Sequence, residues 1–284
     1  MKVKRSLLLI AAGCGAAAFA LQQSGQKHVI LDDRKGGFKI YNVDSYELGL
    51  VPNSGDLRFD ATGAPVRGFS KEQGLNFSAN RVAGTAARSD GGSMRITNGR
   101  MTGNVVFDIA KSEDGQTDRS HLESASVTLA EEATQARITL PSPFTFSNHV
   151  VTPTVDRQFT IRAPSGVFVL PPLNQTSGQA NPFRSADVKG PITVSLDSKQ
   201  TSSAGTSRHE VELRGDRLTY DGASRTLLLE GNIVADVKIT PTKGEPLEFT
   251  QTGGWARVLF NEDSSVKDVV LGAGTGVLRS GGGQ

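Results

Sequence analysis

The sequence predicts an all-β protein of strand-turn-strand units that can stack as an elongated sheet or roll, behind an N-terminal signal or anchor segment. Three observations predict it. From about residue 42 onward, apolar residues recur at every second position, the period of a strand with one buried face. Glycine supplies 32 of 284 residues, above the usual level of about 7%. Turn pairs punctuate the alternating runs at Asp90-Gly91-Gly92, Asn98-Gly99, Asp114-Gly115, Asp221-Gly222 and Gly253-Gly254. Helical periodicity surfaces only around Ser124 to Ala136. There Glu131-Glu132-Ala133 predicts a short helix, in competition with the alternation of Val127 and Leu129.

Taken in order, the strand candidates begin with Leu57, Phe59 and Ala61, then Leu75, Phe77 and Ala79. Met101, Gly103, Val105, Phe107 and Ile109 share one parity. Val127 with Leu129, Ile138 with Leu140, Phe144 with Phe146, Phe159 with Ile161 and Val167 with Val169 continue it. Ile192, Val194 and Leu196 follow. The longest run is 227–240. One parity reads Leu227, Leu229, Gly231, Ile233, Ala235, Val237 and Ile239, and the other is largely polar. Successive side chains on a strand point to opposite faces, so one face here is wholly apolar. Gly231 marks a bend or bulge within it. The stretch 171–182, rich in Pro, Asn, Gln, Ser and Gly, predicts a long surface loop or a boundary between two halves of the domain. Lys199 to Ser207 predicts a second loop, Gly272 to Gly276 a terminal hairpin, and Ser280 to Gln284 a disordered tail.

The first 25 residues read as an address. Lys2, Lys4 and Arg5 precede an uncharged, mostly apolar run from Ser6 to Leu21, and Gln22 to Gln26 is polar. This is the order of an export signal. Ala18-Phe19-Ala20 offers a cleavage site, so the chain is either soluble in the periplasm after a cut near Ala20 or tethered to the inner membrane by residues 6–21. Ala11-Ala12-Gly13-Cys14 resembles a lipoprotein box, although the apolar run continues past Cys14. The β domain then spans residues 40–280.

Composition excludes several functions. A net charge of +2 gives little counterion-release drive for nucleic-acid binding. The single cysteine, Cys14, supplies neither a disulfide within the chain nor a cysteine zinc site. His28, His121, His149 and His209 stand far apart, without metal-ligand spacing. No GxSxG occurs. Asp32-Asp33, Glu131-Glu132 and the pair Asp216 and Asp221 read as solvated or turn carboxylates rather than a hydrolytic pair. The expectation is a protein with neither catalytic residues nor a metal or cofactor. Arg81, Arg88, Arg95 and Arg100 would either meet lipid phosphates or keep the surface soluble.

The chain contains an internal echo. Arg100-Met101-Thr102-Gly103-Asn104-Val105-Val106 and Leu229-Glu230-Gly231-Asn232-Ile233-Val234 both place Gly-Asn before aliphatic residues. The later unit, with Gly215-Asp216-Arg217-Leu218-Thr219-Tyr220-Asp221 and then Leu227-Leu228-Leu229-Glu230-Gly231-Asn232-Ile233-Val234, resembles the OstA-like family of lipopolysaccharide-transport proteins. The match covers about Val211 to Ile239, and the unit from Met94 to Asp108 matches more weakly.

That resemblance implies an elongated, folded-over antiparallel sheet, a β-jellyroll or β-taco, whose apolar lining holds the acyl chains of lipopolysaccharide or a related glycolipid, without enzyme chemistry. It implies partners that add edge to edge: other transport components or further copies of the chain. The residues assigned to such a lining are Leu227, Leu229, Ile233, Val237, Ile239, Met101, Val105, Phe107, Ile192, Val194 and Leu196. Burial of each acyl methylene is worth about 0.8 kcal/mol, so tails dominate such binding. The alternative is an exported structural or adhesion module whose apolar faces pack on each other. A more distant reading is a carbohydrate-active enzyme.

Overall fold

The computed structural model describes residues 27–33, 38–70, 74–88, 94–113, 115–171, 183–262, 265–272 and 274–280. The signal or anchor segment lies outside them, as do Asp90-Gly91-Gly92, residues 172–182 and the tail after Ser280. The described residues form a 17-stranded sheet and contain no helix. The strands are β1 (Leu31–Asp33), β2 (Phe38–Tyr41), β3 (Ser45–Leu50), β4 (Leu57–Ser70), β5 (Leu75–Arg88) and β6 (Met94–Glu113). Then come β7 (Gln116–Glu131), β8 (Ala136–Leu140), β9 (Phe144–Val151), β10 (Val155–Ala163) and β11 (Ser165–Leu170). The chain ends with β12 (Ser185–Ser202), β13 (Gly205–Asp221), β14 (Thr226–Thr240), β15 (Leu247–Phe260), β16 (Val266–Leu271) and β17 (Gly274–Ser280).

Every pairing is antiparallel, and the chain runs as one long meander. Four long strands each pair with two short ones laid end to end. β4 takes β2 and β3, β7 takes β8 and β9, β12 takes β10 and β11, and β15 takes β16 and β17. The sheet stays continuous across residues 172–182, because Val169 pairs with Ser185.

The breaks in the short strands fall on one line with register shifts in the long ones. Those shifts lie between Thr62 and Val66, Ser78 and Arg81, Thr102 and Val105, Lys189 and Ile192, Arg214 and Arg217, and Glu230 and Ile233. Bulges bend a strand and sharpen its twist, so a line of them is a crease. The residues on the crease fit that role. Pro65, Pro141, Pro143, Pro164 and Pro191 offer no N–H to a ladder. Gly103-Asn104 and Gly231-Asn232 both adopt left-handed backbone, with φ of 76° and 50° in the first pair and 76° and 47° in the second, which glycine and asparagine tolerate best. A Cβ on Gly231 would lie 2.7 Å from Oδ2 of Asp216, the carboxylate that accepts a hydrogen bond from Asn232 Nδ2 at 2.6 Å. The Gly-Asn echo is therefore two copies of one bending element.

The crease folds the sheet onto its own apolar face. Arg157 on β10 is level with Ser198, His209, Ile239 and Leu247 on successive strands. Phe260 lies thirteen residues beyond Leu247 on β15, on the order of 40 Å away along a straight strand. Yet the Arg157 guanidinium carbon sits 5.7 Å from the centre of the Phe260 ring. Phe146 and Phe168 lie on opposite sides of the crease, with ring centres 6.2 Å apart. Two walls therefore face each other. One contains β3, β8, β11 and β16, the other β2, β9, β10 and β17, and the long strands run through both. A single buried apolar cluster, from Leu31 to Val266, fills the space between them.

Several sequence expectations change. The helix over 124–136 is absent: β7 continues to Glu131, because Val127 and Leu129 pair onto β6 and Leu129 also onto β8. Asn98-Gly99 is not a turn. Gly99 lies within β6 opposite Gly84, where a Cβ would meet the carbonyl oxygen of Asn98 at 2.3 Å. Gly253-Gly254 lies within β15 at the crease. The loop expected at Lys199 to Ser207 is a tight hairpin, with only Ser203 and Ala204 between β12 and β13. Gly272 and Gly274 lie at the crease rather than in a hairpin, since β16 and β17 both pair with β15.

Candidate functional site: the apolar trough and its mouth

The inner face is apolar because one parity of every long strand points into the fold. Leu48 pairs with Phe59, Phe59 with Gly84, Gly84 with Gly99 and Gly99 with Leu129. Directly opposed residues share a face, so this row crosses five neighbouring strands on one side. All the residues assigned to a lining from sequence lie on this face. Leu227, Leu229, Ile233, Val237, Met101, Val105, Ile192, Val194 and Leu196 are buried, and Phe107 and Ile239 are half-buried.

Depth separates these residues. Leu213, Leu218 and Leu229, beside the crease, are 0% exposed, so not even a water-sized void touches them. Away from the crease burial is uneven: Val150, Val155 and Val266 stay buried, while other inner-face residues do not. Phe107, Leu122, Phe159, Ile239 and Phe249 are half-buried on the inner face. Ile109 and Leu247 stand at the rim, exposed to solvent. At the N-terminal end of the sheet, Tyr46, Leu48 and Leu50 carry the same face onto β3, where they are 45%, 43% and 71% exposed. Sequence reasoning missed these three, although their own alternation is the signal that marks them. β3 pairs only with β4, and β17 only with β15, so among the described residues the sheet presents free edges at both ends.

A polar patch interrupts the inner face at the rim. Asn148 Nδ2 donates to Asp118 Oδ1 at 2.6 Å and to Ser120 Oγ at 3.0 Å, and its Oδ1 accepts from Arg157 Nη2 at 2.6 Å. Ser198 is buried and His209 half-buried in the same cross-strand row as Arg157. Burial pushes the Asp118 carboxyl above its usual range, against the opposing pull of Asn148 and Arg157. Burial pushes the His209 imidazole down. Nothing in the local sequence marks these residues as a group, because five neighbouring strands, β7, β9, β10, β12 and β13, bring them together.

The outer face is polar and its charges are matched. A shallow groove of about 840 Å³ on the outer side of the second wall is lined partly by Asp197, Glu210, Lys238 and Glu248. Arg208 forks onto Asp197 at 2.9 and 2.5 Å, and Lys238 meets Glu248 at 2.8 Å. The Arg208 guanidinium holds Asp197 below the usual carboxylate range. Of the four arginines singled out from sequence, Arg81 forks onto Asp60 at 2.9 and 2.5 Å.

Several members of the candidate carboxylate pairs have local partners. Asp32 meets Lys39 at 3.5 Å, and Glu132 accepts from Gln135 at 2.7 Å. Asp221 accepts from the Ala223 amide and the Ser224 hydroxyl, which is turn chemistry. Among the described residues no group of three or more His, Cys, Asp or Glu is placed to hold a metal. No helix there is long and apolar enough to cross a membrane. Comparison with protein-family models, with curated proteins and with solved structures found no match to this chain.

Proposed function

We propose that this chain is a non-enzymatic lipid-shielding protein of the cell envelope, which holds the acyl chains of lipopolysaccharide or a related glycolipid between two membranes. One observation carries the reading. A single apolar face runs through the whole meander, folds over itself without closing into a barrel, and emerges uncovered at the rim and on β3. A sheet with such a face must cover it with protein or with a guest. The OstA-like resemblance supports the same reading, because its Gly231-Asn232 element lies at one of the bends along the crease. The export segment adds a periplasmic location, soluble or tethered.

The crease is filled by side chains, so acyl chains would enter beside the half-buried Phe107, Phe159, Ile239 and Phe249. A chain with ten buried methylenes would gain about 8 kcal/mol on transfer from water, enough to spread two weakly packed rims. The free edges of β3 and β17 suit strand addition by a transport partner or a second copy.

Photo-crosslinkers at Phe107, Ile239 and Leu48 in living cells test the proposal. Glycolipid adducts at the rim and none at outer-face Lys238 are expected. No adduct at any of the three inner positions would overturn it. The packed crease favours a second reading, a structural β module without cargo, and that outcome would select it.

A further inference from the structure

We propose that Arg157 and Phe260 form a clasp across the mouth of the trough, opened by an anionic headgroup, so that the trough selects amphiphiles carrying phosphate or carboxylate. The inference rests on the lipid-shielding reading and adds a ligand chemistry and a gate to it.

Arg157 points inward from β10 and is only 8% exposed. Its Nη2 is anchored on its own wall by Asn148, which stands between it and Asp118. Its guanidinium carbon reaches Phe260 on the opposite wall, 5.7 Å from the ring centre. It therefore joins two walls that are far apart along the sheet. A buried cation is an expensive way to fill a greasy rim, since apolar residues of similar volume often serve stability as well or better. Its chemistry suits a latch. A cation–π contact is weak enough to exchange, whereas a phosphate or carboxylate bonds a guanidinium by charge-assisted, often bidentate hydrogen bonds. An arriving anionic amphiphile would take the guanidinium from the ring, and its chain would take the place beside Phe260. Ser198 and His209, next in register, supply polar atoms for the headgroup. With its carboxyl pushed up by burial, Asp118 opposes an anion less than a surface aspartate would.

Equilibrium dialysis of the full chain against dodecyl phosphate, dodecyl maltoside and inorganic phosphate, each below its micelle concentration where it has one, tests this. Dodecyl phosphate should bind at least about tenfold more tightly than the maltoside. Arg157→Gln should bring the two detergents to equal affinity. Phe260→Leu, which keeps the apolar volume but removes the ring, should keep the preference and tighten both. If Arg157→Gln does not fold, Arg157→Lys should fold and lose most of the preference, because an ammonium cannot fork. Equal binding of both detergents by the natural chain, or a preference that survives in Arg157→Gln, overturns the clasp while leaving lipid shielding in place. Inorganic phosphate binding as tightly as dodecyl phosphate would also overturn it, by showing a simple anion site. If neither detergent binds, lipid shielding falls and the clasp falls with it.

Discussion

Leu229 and Leu48 occupy the same inner face of the same wall, yet Leu229 is 0% exposed and Leu48 is 43% exposed. Each has a glutamate beside it, Glu230 and Glu47, and both pair with apolar partners across the ladder, Leu229 with Leu218 and Leu48 with Phe59. The difference lies in cover. Leu229 sits beside the crease, under the opposite wall. Leu48 sits on the terminal strand, where the ladder stops. A strand's period thus decides which face a residue takes, while its distance from the crease and from the sheet's ends decides whether that face is covered. The two regions differ in role: the crease seals its leucines inside the fold, and the terminal strand leaves its own in contact with solvent.

The largest expected effect tests that division directly. Leu229→Ala should cost about 2–5 kcal/mol by chemical denaturation, the range for a filled core leucine, and Leu48→Ala about 0.5 kcal/mol or less. Similar costs at the two sites would break the division. Leu229→Asp should fail to fold, whereas Leu48→Asp should fold and lose lipid adducts at the β3 end.

Glycines sharpen the contrast. Gly231 and Gly55 both have positive φ, 76° and 73°. A Cβ meets Asp216 at the first and open space at the second. Gly55→Ala should cost about 1 kcal/mol, the backbone penalty alone. Gly231→Ala should cost clearly more, through the clash with Asp216 and loss of the bend. Equal costs in thermal or denaturant unfolding would show that the crease needs no close approach at Gly231.

The smallest effects are pH-dependent and belong to the rim. Burial raises the Asp118 carboxyl in the folded chain, so its ionisation opposes folding. That penalty is absent at acid pH, where the group is protonated in both states, and grows as pH rises through the folded value. Asp118→Asn should therefore be more stable than the natural chain at neutral pH, and the advantage should vanish in acid. His209 runs the other way. Its folded value is lowered, so stability is full above the ordinary histidine range and falls as pH drops through it towards the folded value. His209→Gln should flatten that decline in a series of denaturant melts. Unchanged pH profiles in both variants would show that the rim is wetter than its burial indicates.

Much of this fold was legible in the chain itself. The alternation of Leu227 to Ile239, of Leu57 to Ala61 and of Met101 to Ile109 assigned inner and outer faces correctly, because strand period is a local property. Gly231 was readable as a bend, and its Gly-Asn pair as a twin of Gly103-Asn104. The helix expected near Glu131-Glu132-Ala133 did not form, since pairing on β6 and β8 outweighed a weak local preference. Asn98-Gly99 misled because a glycine inside a strand, here opposite the tightly placed Gly84, looks the same in sequence as one that makes a turn. The rim cluster was illegible: Asp118, Asn148, Arg157 and Phe260 come from four separate strands, and no spacing links them.

By itself, the sequence determined an all-β chain, the parity of its strands and the places where it can bend, because alternation, glycine and proline act through neighbouring residues. Only the tertiary structure decided that the bends align into one crease, that Leu229 is sealed while Leu48 is bare, and that Arg157 meets Phe260. Those outcomes depend on which wall comes to lie opposite which, a relation between residues far apart in the chain that no local pattern encodes.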